Sequence, residues 1–160
     1  HVSTVESAMK IVEAARYAPL GKRGLSPYTR CHGYTHDNLS KSLINHAEDT
    51  LVGILVEGEE GIKNLPEISK VKGIDLIYLG MYDISQSVGL PGQLEHPDVM
   101  KQLNNCLKII QGSGKLPGTF ARDMDACHTF KDMGFKFVAY LADSYALTSF
   151  YKNAVTEFQK

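Results

Sequence analysis

The chain has 160 residues and a mass of 17.7 kDa, with 17 Lys+Arg against 18 Asp+Glu and a net charge of −1. Apolar residues make up 43% and charged residues 22%, which describes one ordinary globular domain with enough chain to bury a core. The balanced charge gives no field to attract nucleic acid or anionic lipid, and no apolar run approaches the roughly 18 residues of a membrane span. His1-Val2-Ser3-Thr4 has neither a basic n-region nor an apolar h-region, so no signal peptide is expected. With no initiator Met, the chain reads as a processed or partial product. Cys31, Cys106 and Cys127 are odd in number and form no C-x-x-C, so the expectation is reduced thiols in a cytoplasmic protein.

Ser3 and Glu6 match a capping box that opens a first helix with Val5, Ala8, Val12 and Ala15 on one face. Pro19-Leu20-Gly21 stops it. Residues 18–36 form a long loop rich in Gly, Arg and Tyr. Asp37 can cap a second helix with Leu39, Leu43 and Ala47 inward. Thr50 to Glu57 is a continuous apolar run ending in an acid, which predicts a strand covered on both faces, as in a parallel sheet. A helix with Ile62, Leu65 and Ile68 follows, then a second buried strand over 75–80. Pro97 sits near the start of a helix with Val99, Leu103, Leu107 and Ile110 inward. Residues 115–121 predict a third strand, weakened by Pro117 and Gly118. Asp123 opens a short helix ended by Gly134. Residues 135–142 predict a fourth strand, and the last helix carries Leu147, Phe150, Tyr151, Ala154, Val155 and Phe158 on one stripe.

Four strands alternating with helices predict a parallel α/β arrangement. A closed (β/α)8 barrel needs eight such units in about 250 residues. The pattern therefore fits half a barrel or a small open sheet, and does not choose between them.

Ligands of parallel α/β proteins bind at the carboxyl ends of strands. There the sequence places Glu57 after the first strand and Gly80-Met81-Tyr82-Asp83 after the second, then Arg122 and Asp123, then Asp143. Glu57 and Asp83 end neighbouring strands, and two such carboxylates suit a hard divalent cation such as Mg²⁺. The alternative is a pair of solvated loop acids or helix caps. Gly80 admits close approach of a ligand to the backbone, and the amides after it can receive an anion. Cys31, His32 and His36 share the long loop but complete no zinc ligand set. His1 is read as terminal and mobile. No P-loop, G-x-G-x-x-G, G-x-S-x-G or H-E-x-x-H motif is present.

The ordered series Val52-Gly53-Ile54-Leu55-Val56-Glu57, Glu60-Gly61-Ile62-Lys63-Asn64-Leu65, Gly73-Ile74-Asp75, Leu79-Gly80-Met81-Tyr82-Asp83-Ile84-Ser85 and Gly89-Leu90-Pro91-Gly92-Gln93 resembles the HpcH/HpaI aldolase family. So do His96-Pro97 and Gly21-Lys22-Arg23-Gly24, and the resemblance runs along essentially the whole chain. It implies class II, metal-dependent aldolases and lyases on a TIM barrel, of which residues 1–160 form the C-terminal half as a single partial domain. It places the metal ligands at Glu57 and Asp83. It also places a turn whose amides hold the pyruvate carboxylate at Gly80, Met81, Tyr82 and Asp83.

Three departures from the family pattern stand out. Met81 replaces a usual Pro. Leu55 replaces a Gln common two positions before the metal Glu. The family's catalytic His and Arg belong to the first half of the barrel, which this chain does not match. The implied function is cleavage or formation of a C–C bond of a (4-hydroxy-)2-oxo acid with a pyruvate-type enolate and an aldehyde, helped by Mg²⁺ (or Mn²⁺ or Co²⁺). The alternatives are a citryl- or malyl-type CoA lyase, or a non-catalytic fragment completing an oligomer. A homo-oligomer or a companion N-terminal half is expected, with no nucleic-acid or membrane partner, and the half-barrel by itself is expected to be inactive.

Overall fold

A computed structural model describes the backbone of residues 1–160 and the side chains of residues 1–47 and 49–160. Four strands, β1 (Gly53–Val56), β2 (Leu76–Leu79), β3 (Leu116–Ala121) and β4 (Phe137–Tyr140), lie parallel in chain order in one sheet. Around them run α1 (Val5–Ala15), α2 (Leu39–Asp49), α3 (Gly58–Ile68), α4 (Met81–Ser87), α5 (Pro97–Gly112), α6 (Met124–Met133) and α7 (Asp143–Phe158). Each strand-to-strand step crosses through helix, as a parallel pair requires. The four-strand arc is that of a partial TIM barrel, as the sequence leads one to expect. Among the described residues no helix is long and apolar enough to cross a membrane.

One face of the sheet is the core. Ile54 and Val56 of β1, Ile77 and Leu79 of β2 and Ala121 of β3 are buried against Leu65 and Ile68 of α3 and Leu103, Cys106 and Ile110 of α5. Full burial of a side chain of this size contributes about 1.5–3 kcal/mol. The Cys106 thiol lies in this core, and burial pushes its pKa up to about 11, as suits an inert small hydrophobe. The other face carries the register row Leu55, Tyr78, Gly118 and Phe137. Phe137 there remains 47% exposed, and along β1 the buried Ile54 and Val56 alternate with exposed Gly53 and half-buried Leu55, so β1 is fully covered on its helix side alone, not on both sides. In a closed barrel this second face is the interior.

Local chemistry fixes the helix ends. The N-cap of α1 is Thr4, one residue later than expected: its hydroxyl accepts from Ser7 N at 3.1 Å, and Ser7 closes the capping box. The shift follows from Val2, whose N–H donates to Leu55 O beside β1 at 2.7 Å and holds the preceding residues extended. Asn38, in the left-handed region, precedes α2 in place of Asp37, and Ala47 is exposed, not inward. Pro97 occupies the first turn of α5, and Val99, Leu103, Leu107 and Ile110 are buried as expected. Asp123 caps α6 through Ala126 N, and Gly134 at φ 102° ends it. The apolar stripe of α7 has no cover in this chain: Phe150 is 67% and Phe158 93% exposed.

The base of the sheet is held by one charged knot. Asp75 Oδ2 accepts from Val52 N at 2.7 Å and from Arg16 Nη2 at 2.8 Å, while Arg16 Nη1 donates to Ala47 O at 3.0 Å. Four segments, α1, α2 and the leads into β1 and β2, meet at this guanidinium–carboxylate pair. Asp75→Ala orphans the Val52 N–H and the mostly buried Arg16, and the expected cost is about 2–3 kcal/mol in urea unfolding. Asp75→Asn, which can still accept from Val52 N, should lose less.

Candidate functional site

The pairing Val56↔Leu79 sets Glu57 directly opposite Gly80 at the carboxyl ends of β1 and β2. Both continue the barrel-interior face begun by Leu55 and Tyr78, because side chains alternate along a strand. A Cβ on Gly80 would run into Glu57 Oε2 and stand 3.0 Å from Glu57 Cβ. Gly80 is therefore the notch that receives the Glu57 carboxyl. Glu57 also precedes α3 as its cap residue, but its side chain makes no capping hydrogen bond and stays available.

Asp83 reaches the same point from α4. The segment read as a turn is the first turn of a seven-residue helix, Met81–Ser87, with Gly80 as its N-cap. Met81 sends its side chain into the core, whereas Tyr82 and Asp83 are exposed. No side chain caps this helix, so its first amides are without intrahelical partners. Ser85, fully buried, fastens the end of the segment: its hydroxyl donates to Tyr82 O at 2.6 Å and accepts from Gly92 N at 2.9 Å.

The two carboxyls sense each other. The Glu57 pKa is raised from its ordinary value first by burial, then by the Asp83 charge and by a hydrogen bond to the Asp83 carboxyl. Its side chain is only 18% exposed. The expected residues Glu57, Gly80, Met81, Tyr82 and Asp83 are thus brought together, with Met81 contributing backbone alone.

His1, set aside as terminal, was missed: its Nδ1 lies 3.6 Å from Glu57 Oε1. The signal for it was conformational, since the Val2–Leu55 hydrogen bond aligns these residues with β1. Arg122 and Asp123, by contrast, are engaged with each other at 3.4 Å, and Arg122 also pairs with Glu95. In the long loop His32 is buried with both ring nitrogens occupied, by Tyr17 Oη at 3.0 Å and Ser42 Oγ at 2.8 Å. Among the described residues no group of three or more His, Cys, Asp or Glu side chains converges. Two carboxylates, one of them with His1 Nδ1 at 3.6 Å, are the donor set at the sheet's end.

Comparison with known proteins agrees with this architecture. The family model described as HpcH/HpaI aldolase/citrate lyase matches residues 1–149. The chain is 30% identical over 158 residues to a 2-keto-3-deoxy-L-rhamnonate aldolase of Salmonella paratyphi A, covering 99% of this chain and 59% of that protein. It is 34% identical over 144 residues to a hydroxypyruvate/pyruvate aldolase of Roseobacter denitrificans, covering 89% and 55% respectively. It thus spans little more than half the length of these relatives. The crystal structure of an HpcH/HpaI aldolase from Desulfitobacterium hafniense superposes with a TM-score of 0.92 at 22% identity, over 99% of this chain and 61% of that one.

The carboxyl pair has a direct stability consequence. A carboxyl whose pKa is raised on folding favours the folded state while protonated, and that advantage is lost as the pH rises through and above the ordinary Glu range near 4.3. Glu57→Gln removes the charge and keeps the shape. At pH 7 and without divalent cations it should melt about 2–4 °C above the parent, as a gain of about 1 kcal/mol does in a chain of this size. The two melting curves should converge near pH 4. A parent that melts higher at neutral pH would contradict the carboxyl–carboxyl contact.

Proposed function

The chain belongs to the HpcH/HpaI aldolase/citrate lyase family, and we propose that it forms the C-terminal part of a metal-dependent aldolase acting on a (4-hydroxy-)2-oxo acid. The observation that carries this reading is the Glu57 carboxyl seated in the Gly80 notch at the strand ends, with the Asp83 carboxyl close enough to raise its pKa. Two hard oxygen donors, with the His1 imidazole 3.6 Å from Glu57 Oε1, fit Mg²⁺, which takes one or two carboxylates and leaves positions for a substrate's oxygens. Mn²⁺ and Co²⁺ fit the same oxygen set. A divalent cation held there supplies Lewis acidity that stabilises the charge of a pyruvate enolate, an effect of several kcal/mol.

This chain's residues supply the rest of one half of the site. Gly80 lets the Glu57 carboxyl approach, and the amides after it, at Met81, Tyr82 and Asp83, would receive the 2-oxo acid's carboxylate. In the cleavage direction a base takes the proton of the 4-hydroxyl, the C3–C4 bond breaks, and its electron pair passes to the 2-oxo acid as the enolate while the aldehyde departs. The enolate then takes a proton at C3 to give pyruvate. The base and the cationic group beside the enolate oxygen would come from the first half of the barrel. The names of the two aldolase relatives, one for a 2-keto-3-deoxy sugar acid and one for pyruvate, support the substrate class.

The bare interior face of the sheet and the uncovered α7 stripe support a further chain segment or a second copy completing the fold. The 160-residue chain by itself should therefore release pyruvate from 4-hydroxy-2-oxo acids at no more than background rate. A purified monomer of these residues turning over at ordinary enzyme rates would refute the half-barrel reading.

The metal assignment is tested by calorimetry on the complete protein that carries this chain. Glu57→Ala or Asp83→Ala should weaken Mg²⁺ or Mn²⁺ binding at least 100-fold, and oxalate, an enolate mimic, should then no longer bind with the metal. Glu59→Ala and Glu60→Ala, in the first turn of α3, should leave the affinity within about twofold. Parent-like affinity in both site variants would remove the assignment.

A further inference from the structure

A cavity of about 570 Å³ opens above the ends of β3 and β4, walled by Tyr82, Phe120, Leu141, Ala142 and Tyr145, with Arg122 and Asp123 on its rim. It adjoins the carboxyl pair. Tyr82 precedes Asp83 in the first turn of α4, and its ring lies 6.5 Å from that of Phe120. The pairing Tyr78↔Gly118, carried two residues further, sets Phe120 level with Gly80 and Glu57, and Leu141 lies one interior row above.

Leu141 is held at φ 53°, a left-handed conformation that a leucine avoids because its Cβ crowds the neighbouring carbonyl. Its N–H donates to Ala121 O at 3.0 Å, which ties the residue to the end of β3. The strain sits at the wall of the cavity beside the candidate site, where strained residues are characteristically kept for function. A glycine there would carry no such penalty. What leucine adds is an isobutyl group in the wall.

We infer that Leu141 is a specificity-determining residue, which favours short, uncharged aldehydes as the carbonyl co-substrate by narrowing the cavity beside the candidate site. The wall is apolar and aromatic. Its one cation, Arg122, is already committed to Glu95 and Asp123, so it offers no free charge to an anionic substituent. This inference rests on the aldolase reading, and the experiment separates the two.

In the complete protein with Mg²⁺, the parent is assayed first for deuterium exchange into the methyl group of pyruvate, which needs no aldehyde. Aldol addition of pyruvate to acetaldehyde and to hexanal is then compared for the parent, Leu141→Gly and Leu141→Ala. The expected result is a parent that prefers acetaldehyde, with that preference in kcat/KM reduced at least tenfold in both variants, the scale on which a few methylenes in an apolar pocket are discriminated. Leu141→Gly should also melt above Leu141→Ala, which keeps the strained Cβ. Should the glycine variant lose its fold, the alanine variant carries the comparison. A parent without deuterium exchange overturns the aldolase reading and this inference with it. Exchange in the parent together with an aldehyde preference unmoved within twofold in the variants overturns the role of Leu141 alone.

Discussion

The site depends on one register, the pairing of Val56 with Leu79. Side chains alternate at a period of two, so this single pairing decides that Glu57 and Gly80 both turn toward the interior face and stand side by side. A slip by one residue would set the Leu79 side chain, not the missing Cβ of Gly80, against the Glu57 carboxyl. The register is itself enforced from the opposite face. Ile54, Val56, Ile77 and Leu79 must all stay buried under α3 and α5, and a slipped strand would expose two of them. Packing on one side of the sheet thus holds the geometry of the chemistry on the other.

The same alternation explains why the fold looks complete from outside and unfinished from within. The helix side of the sheet contains most of the fully buried large side chains. The interior side leaves Phe137 47% exposed in a row that also contains Leu55 and Tyr78, and Leu116 41% exposed one row below. Burial pushes the Tyr78 phenol's pKa up even so, because its ring leans over the space left by Gly118 toward Phe137, with ring centroids 6.2 Å apart. A wider aromatic row at this level would not fit without that glycine. The strand order places β1 at one edge and β4 at the other, the two seams at which a barrel closes.

Much of this was legible in the sequence, for identifiable reasons. Runs of Val, Ile and Leu ending in an acid or a Gly located β1 and β2, while β3, interrupted by Pro117 and Gly118, was the weakest signal. The 3–4 spacing of Val99, Leu103, Leu107 and Ile110 located α5 and its buried face. What escaped was set by contacts distant in sequence. The run at 50–57 reads as apolar on both faces, yet only tertiary packing decides which face is covered here. Two adjacent hydroxyl residues, Ser3 and Thr4, compete for the cap, and the choice is made by the Val2 hydrogen bond to β1. The helix α4 is too short to show periodicity, and Gly80 before it has the signature of a turn. The left-handed Leu141 has no sequence signal, because the residues that favour that conformation, Gly and Asn, are absent from its position.

The two side-chain departures from the family pattern lie close together and act in opposite senses. Leu55, one interior position below Glu57, takes away the side-chain amide that the resemblance leads one to expect beside the bound oxo acid. Met81, at the first helical position of α4, restores an N–H that a proline would lack. Its side chain is buried in the core, which fixes the orientation of that first turn without crowding the site. In the proposed reaction, recognition of the 2-oxo acid therefore shifts from a flexible side chain to the backbone of a helix start. Backbone donors need no rotamer ordering when a ligand arrives, since Ser85 already fastens Tyr82 to Gly92 and holds the helix. The loss of one polar contact and the gain of one preset donor are the kind of paired change that leaves a small anion held in the same place by different atoms.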